Sequence, residues 1–409
     1  MSRGICIVLL MLGTIAEAQE IHSRKVRRFV LFGSRESDLP VALMRTQPVT
    51  LECDILSSQP PSLEARFYHC DRNWNVTQTS FVNDPLRDRT RVELPYEVAP
   101  VGIKGYSYTS VIRIPAEGVF DEFFFSGNYI VELWDRAESE KLASARFFVV
   151  EPLMKPRMRI ANRQEPTHVN PYYQVQRISV SFNVPVDTAR IEVFTPLLFS
   201  TVDVYKNREI SRPRRIDADD RDPHTFVNGF GLEHLEFIVD DVQPGNEYRV
   251  LDLRNVDFYP QDGVQRARLG ADVSRFLEKP GSDNNGGSNL VRGSRYADYI
   301  DFRFELLWNE GGRDKIHVVG DFDGWKPSEE NIMSFEKDRY VWQTSLRRGR
   351  YDYQYVSGDD WILLEGNDWR TINNYTAFVY YRDQRFGGFD RILGVARGRS
   401  PGGVTATTQ

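Results

Sequence analysis

The stretch Val49-Thr50-Leu51-Glu52-Cys53-Asp54-Ile55 decides the fold class. Every second side chain in it is apolar, which is the period of a β-strand with one face packed against a core. Comparable runs recur at residues 65–70, 107–114, 128–134 and 145–150, and clusters of Pro, Gly, Asn and Asp separate them. Short strands at this spacing are typical of a β-sandwich. We therefore predict an all-β protein made of β-sandwich domains in tandem.

Two breaks divide the strand pattern. A polar, Pro-bearing stretch at 151–156 ends the first set of strands, and the Gly- and Asn-rich run at 280–288 has few side chains that could offset the entropy of ordering its backbone. We predict a signal peptide at 1–18, a first β-sandwich at 19–151, a second β-domain at 152–279, a flexible loop or linker at 280–293, a third β-domain at 294–397 and a disordered tail at 398–409.

The N-terminus has the form of a secretory leader. Arg3 precedes an apolar run at 5–15, and Ala16 and Ala18 are the small residues that signal peptidase accepts. An uncleaved membrane anchor is the alternative, but the run is shorter than the roughly 20 residues that cross a bilayer. We predict cleavage after Ala18, and no direct membrane insertion by the rest of the chain.

The composition argues against a nucleic-acid-binding surface. The net charge is −6, the sequence pI is about 5.7, and acidic and basic residues are interspersed. With 41% hydrophobic and 12% aromatic residues the chain can form packed cores.

Two cysteines, Cys53 and Cys70, follow the leader and lie in neighbouring strand-like runs. An exported protein can form a disulfide between them. The alternative is a pair of buried free thiols, because cysteine packs well as a small apolar residue.

A search for catalytic chemistry finds no positive case. No two of the six histidines stand at a metal-ligand spacing, and the acidic runs at 217–222 and 321–324 begin calcium-like patterns without the Glu that closes such a loop. Nucleophile and phosphate-loop motifs are absent from the sequence after the leader. We predict no catalytic site, no metal and no cofactor; a hydrolase with dispersed carboxylates remains a third hypothesis.

The C-terminal third resembles a known module. The run at 316–325, which ends in Asp321-Phe322-Asp323-Gly324-Trp325, is followed by Tyr340-Val341-Trp342 and by an aromatic strand at 351–355. This order resembles the immunoglobulin-like (E-set) module of starch- and glycogen-binding proteins. The resemblance makes Trp342 and Trp361 candidates for stacking on sugar rings; the alternative is that the strand tryptophans are core anchors.

A second resemblance extends over most of the chain. It rests on ordered motifs at 67–75, 106–108, 125–129, 146–151 and 379–382, the first of which reads Phe-Tyr-His-Cys-Asp-Arg-Asn-Trp-Asn. These resemble the plug protein family of the type IX secretion system. The resemblance implies a non-enzymatic periplasmic subunit, peripherally associated with the outer membrane, that binds and occludes the periplasmic opening of the outer-membrane β-barrel translocon.

The residues that would contact such a translocon are not evident from the motifs. Tyr106, Tyr108, Tyr172 and Tyr173 are candidates, because aromatic residues are enriched at protein interfaces, although they are equally suited to a core. The alternative function is that of a periplasmic or surface glycan-binding protein that uses Trp342 and Trp361.

Overall fold

The computed structural model of the chain describes residues 19–79, 81–83, 90–116, 120, 122–165, 173–187, 192–274, 280–309 and 315–402. The predicted leader, residues 403–409 of the predicted tail, and Tyr172 lie outside the described residues, as does the side chain of Tyr173. Among the described residues, no helix has the length and apolar character needed to cross a membrane.

The strands follow one another along the whole chain. The first are β1 (Gln19–Ile21), β2 (Val26–Phe32), β3 (Val41–Leu43), β4 (Val49–Ile55), β5 (Leu63–Cys70), β6 (Arg91–Glu93), β7 (Glu97–Val98), β8 (Tyr108–Ile114), β9 (Gly127–Asp135) and β10 (Glu140–Val150). Next come β11 (Arg157–Glu165), β12 (Tyr173–Asn183), β13 (Val186–Asp187), β14 (Glu192–Val193), β15 (Thr201–Lys206), β16 (Arg214–Asp217), β17 (Thr225–Asn228), β18 (His234–Val242) and β19 (Arg249–Asp252). The last are β20 (Gln265–Arg266), β21 (Asp272–Val273), β22 (Ser288–Leu290), β23 (Tyr299–Leu307), β24 (Ile316–Gly320), β25 (Ser334–Glu336), β26 (Arg339–Arg347), β27 (Gly349–Ser357), β28 (Asn374–Asp383) and β29 (Phe389–Arg399). Short 3-10 helices lie at Pro196–Leu198, Asp321–Asp323, Glu329–Asn331 and Arg385–Gly387.

The first sandwich confirms the all-β prediction. One of its sheets has the order β1-β10-β9-β5-β6, with β3 parallel to β10, and the other has the order β2-β4-β8-β7. Apolar residues from alternate positions of both sheets meet between them, as the period of two requires. Phe29, Leu51, Phe67, Val131 and Phe147 lie in this core.

The second sandwich is completed by the C-terminal strands. One sheet has the order β11-β12-β18-β17, and the other has the order β16-β15-β28-β29. Val202 of β15 lies opposite Val379 of β28, and both side chains belong to the same core as Leu393 of β29. The predicted third domain at 294–397 therefore includes strands of the second sandwich: β28 and most of β29 lie within it, but their apolar face closes the second core.

The third sandwich consists of a sheet around β27 and a sheet around β23. Strand β27 pairs with β19, β22 and β24, while the facing sheet has the order β20-β23-β26-β25, with β21 added to β23. Ile300, Phe302, Val318 and Tyr355 are buried in the core between them.

The segment predicted as a flexible linker, 280–293, is held in place instead. The amides of Asn284 and Gly286 donate to a carboxylate oxygen of Asp352 at 2.7 and 2.9 Å, and the indole N–H of Trp325 donates to the Gly286 carbonyl at 2.8 Å. Part of the segment is strand β22, which pairs with β27. The small residues that suggested flexibility permit a close backbone approach here.

The start of the predicted disordered tail is also ordered. Strand β29 continues to Arg399, and the Ser400 hydroxyl donates to the Thr371 carbonyl at 2.9 Å. Gly398 carries no side chain at a point where a Cβ would lie 2.6 Å from the sulfur of Met158. The polar, glycine-rich composition at this position therefore reflects close strand packing rather than disorder.

Candidate functional site

Strand β4 has both of its faces buried. The alternation in its sequence predicts one buried face, and Leu51 and Cys53 do lie in the first core. The intervening Glu52 and Asp54 are each 0% exposed, because the third sandwich covers them. Two carboxylates are thus enclosed between sandwiches, where each requires a partner.

Arginines of the third sandwich supply those partners. Arg347 of β26 places Nη1 3.1 Å from Glu52 and 3.0 Å from Asp54, and it is itself 4% exposed. The hydroxyl of Tyr299 donates to Asp54 at 2.8 Å, and Arg292 donates to Glu52 at 2.5 Å. We refer to these five residues as the interlock. It joins β4 to two segments that lie about 240–300 positions further along the chain.

Asp321, a buried carboxylate near the interlock, contacts the second sandwich as well. Asp321 lies 2.8 Å from Arg208 Nε and 3.6 Å from Arg28, and it accepts a hydrogen bond from the Ser288 hydroxyl at 2.6 Å. Arg28 belongs to the first sandwich, Arg208 to the β15–β16 connection, and Asp321 to the third sandwich. All three sandwiches therefore meet at one buried charge cluster.

The electrostatics favour the charged forms of Glu52 and Arg28. Burial opposes ionisation of Glu52, but Arg28, Arg292 and Arg347 outweigh it and hold the pKa of the carboxyl below its usual value. Burial likewise opposes the charge on Arg28, whereas Asp321 and Glu52 hold the pKa of the guanidinium above its usual value. Removing one partner of such a buried pair is strongly destabilising, because it leaves a buried charge without compensation.

The contact between the first and second sandwiches is largely apolar. Phe148 of β10 stacks on Phe378 of β28 with ring centroids 4.1 Å apart, inside a cluster that also contains Tyr380 and Ile392. Buried His69 bridges the same contact, because its Nε2 lies 3.0 and 3.1 Å from the carbonyls of Ser126 and Asp390.

The ring of His69 is neutral. Burial lowers its pKa to about 4, so Nε2–H donates to the two carbonyls and Nδ1 accepts from the Thr77 hydroxyl at 2.8 Å. Gly127 lies directly against the ring: a Cβ at that position would be 2.3 Å from Nε2. The histidine therefore has a structural role.

An exposed group of aromatic residues lies at the junction of the first two sandwiches. Phe81 and Phe386 are 59% and 45% exposed, and their rings stack with centroids 4.8 Å apart. Phe124, 47% exposed, lines a small cavity of about 50 Å³ together with Phe81. Phe386 has the left-handed backbone angle φ 53°, which is unfavourable for a bulky residue. We call these three residues the aromatic patch; exposed apolar patches commonly mark interaction sites.

Two of the four candidate tyrosines, Tyr106 and Tyr108, have described side chains, and both lie in contacts within the chain. Tyr106 is 5% exposed, and its ring packs against Tyr299 and the guanidinium of Arg347 within the intramolecular contact. Tyr108 is half-buried against Tyr96 and the first core. Tyr106, a candidate for an external contact or for a core, therefore contacts the chain itself.

Other side chains of the protein pack against the rings of the two candidate tryptophans. Trp342 lies in a stack with Phe304 and Phe322, and its indole N–H donates to the Glu330 carbonyl at 2.9 Å. The guanidinium of Arg212 lies 3.9 Å from the ring centroid of Trp361. These contacts compete with sugar stacking, which requires an open ring face.

Both cysteines are free thiols, so the possible disulfide is not formed. Cys53 lies in the core of the first sandwich, whereas Cys70 lies in the cluster between the first and second sandwiches. Strands β4 and β5 belong to opposite sheets, which separates the two sulfurs. Within the described parts of the chain, no three His, Cys, Asp or Glu side chains form a group that could hold a metal ion.

Comparison with known families gives a match to the first sandwich. Residues 26–151 match the family described as type 9 secretion system plug protein 1st domain. The match supports the plug family as the source of the resemblance, and a role associated with type IX secretion in the cell envelope. Together with the all-β fold, the match to the plug family suggests a non-catalytic protein. The starch-binding-like identity of the C-terminal module has no such support.

Solved structures add a likeness of the whole fold. A crystal structure of a hypothetical protein from Parabacteroides merdae ATCC 43184 superposes with a TM-score of 0.73 at 17% identity, covering 93% of this chain and 98% of that one. Murine CEACAM1b gives a TM-score of only 0.16, at 11% identity over 53% of this chain and 86% of that one. No curated protein matches the sequence.

The interlock and the aromatic patch were not evident from the plug-like motifs. Arg347 stands in the run Leu346-Arg347-Arg348-Gly349, where two adjacent arginines before a glycine suggest a solvated turn. The sequence does contain one indication of the patch: Phe386 is a bulky apolar residue in a polar turn, followed by Gly387-Gly388.

Proposed function

We propose that this protein is a periplasmic plug that binds the outer-membrane β-barrel translocon of type IX secretion and occludes its periplasmic opening. The match of residues 26–151 to the plug family carries this proposal. The mechanism is steric: the protein blocks the opening with its body and performs no chemistry on a substrate.

The architecture suits a steric role because the three sandwiches are joined by two different kinds of contact. The apolar cluster around Phe148 and Phe378 supplies adhesion between the first and second sandwiches. The interlock and Asp321 orient the third sandwich against the other two. A body that keeps one shape can close an opening through a complementary surface, whereas a flexible string of domains would leave gaps.

The aromatic patch is the surface that we propose for the translocon contact. Phe81 comes from the first sandwich and Phe386 from the second, so the patch spans two sandwiches that contact each other. Aromatic residues that cluster near the centre of an interface commonly dominate its binding energy. The patch also places a small cavity beside Phe124, into which a partner side chain can insert.

An affinity purification from detergent-solubilised envelopes of the native host tests the proposal. The tagged wild-type protein should retain a large outer-membrane β-barrel, identified by mass spectrometry. The variant Phe81→Ser/Phe386→Ser should lose it, while Phe335→Ser, which changes a phenylalanine 58% exposed on β25, should retain it. Recovery of the wild-type protein without any outer-membrane barrel would contradict the function; equal retention by all variants would contradict only the contact surface.

The occluding role has a separate readout. A host strain that lacks the protein should admit a large polar antibiotic such as vancomycin more readily than the parent strain, and the wild-type gene should restore the barrier. Unchanged antibiotic sensitivity in the deletion strain would argue against occlusion even where the two proteins bind.

A further inference from the structure

Two edge strands of the second sandwich lie side by side. Strand β11 pairs only with β12, and β29 only with β28, among the described strands. Met158 and Ile160 of β11 point inward and lie 2.6 and 2.9 Å from the Cβ position of Gly398 on β29. The two sheets therefore approach each other at an open edge of the sandwich.

The outer edge of β11 has no backbone partner in the described part of the chain. Residues 151 and 153–154 donate to the carbonyls of Ile392 and Leu393 and so cover the start of β29, but no comparable bond reaches residues 157–165 beyond their pairing with β12. A regular strand of nine residues with unpaired N–H and C=O groups is a template for the addition of another strand.

The exposed side chains at the start of this edge are positively charged. Arg157 and Arg159 alternate with the inward Met158 and Ile160, so both arginines face outward, and both are exposed. Neither has an ion-pair partner among the described residues. Arg397 and Arg399 on the adjacent edge strand are also exposed and unpaired within the described chain. Such a row of cations prevents a second copy from pairing here, and it attracts a segment of opposite charge.

We propose that the outer edge of β11 binds an acidic, extended polypeptide segment of a partner protein, which adds to the sheet as a strand. An added strand lies about 4.8 Å from β11, so its alternate side chains stand beside Arg157 and Arg159. The intervening side chains face the half-buried Met158 and Ile160 at the open edge of the core. The segment should therefore alternate acidic and apolar residues.

Synthetic peptides test this directly. The probe is a fluorescent, end-capped eight-residue peptide of alternating Glu and Val; the comparison peptides are alternating Lys and Val, and a Glu-Val peptide of equal composition with its charges in one block. Fluorescence anisotropy with the full protein should show binding of the alternating acidic probe alone. Binding should weaken by about tenfold in the variant Arg157→Glu/Arg159→Glu, because charge reversal opposes association.

Two controls separate strand addition from simple charge attraction. Arg27→Glu/Arg113→Glu reverses two exposed arginines of the first sandwich that have no ion-pair partner among the described residues, and it should leave binding unchanged. Hydrogen exchange should show slower exchange of the outward amides of β11 when the probe is bound. The proposal is wrong if the probe does not bind, if both reversal variants bind equally, or if heparin or vesicles containing phosphatidylglycerol compete fully while β11 amides gain no protection.

Discussion

Replacing Arg347 by methionine is the most direct test of the interlock. Arg347 is 4% exposed and contacts both Glu52 and Asp54 at 3.0–3.1 Å. Glu52 keeps Arg292 in the variant, but Asp54, which is 0% exposed, keeps only the Tyr299 hydroxyl. Removing one partner of a buried pair costs about 3–5 kcal/mol, and the surviving hydrogen bond places the expected loss near the lower end, at about 3 kcal/mol.

Urea unfolding followed by tryptophan fluorescence measures this loss. The matched control is Arg339→Met on the same strand, which removes a partly exposed arginine that pairs with Asp338 and Glu305 and should leave the unfolding free energy unchanged within error. Adding Asp54→Leu to Arg347→Met should restore part of the lost stability, because it removes the unpaired buried charge. The reasoning fails if Arg347→Met behaves like the control, or if the two substitutions are simply additive.

Three further outcomes follow from the same buried groups. Gly127→Ala should lower the free energy of unfolding by about 2 kcal/mol or more, because the new methyl group would overlap the ring of His69 at a backbone angle of φ +148°. Calorimetry measures this change, and an unchanged melting temperature would contradict it. Burial lowers the pKa of His69 to about 4, whereas the pKa of a histidine in the unfolded chain is near 6.5. The contribution of the neutral ring to stability is therefore complete above pH 6.5 and declines as the pH falls towards 4. Acidification from pH 7 to 5 should lower the free energy of unfolding of the wild type by about 2 kcal/mol more than that of a His69→Gln variant. Burial also raises the pKa of the Cys70 thiol to about 12 and that of Cys53 further, so Ellman's reagent should label neither thiol in the folded protein and both in guanidinium; rapid labelling under native conditions would refute the buried placement.

The fold class could be predicted because a period of two is a local property. Residues 49–55 alternate, and they do form strand β4. Which sheet a strand joins is not local: β28 pairs with β15, about 170 residues earlier, because its apolar face completes the second core. The predicted boundaries followed breaks in composition, and they could not reveal that the chain returns to the second sandwich at its end.

The interlock could not be predicted for a related reason. In the run at 49–55, Glu52 and Asp54 have the pattern of a solvated strand face, and only the position of Arg347, 293 residues after Asp54, shows that this face is enclosed. Tyr106 was a candidate for contact with a partner or for the core, and its ring packs against Tyr299, because an aromatic residue in a sequence does not show whether its contact lies within the chain.

The two kinds of contact between the sandwiches respond differently to a displacement of one sandwich against another. An apolar contact such as the stack of Phe148 on Phe378 tolerates small shifts, because dispersion and area burial have little directionality. The interlock does not, since each displacement of Arg347 leaves a buried carboxylate without its partner. The third sandwich is therefore held in one orientation until the charges are separated or rehydrated together.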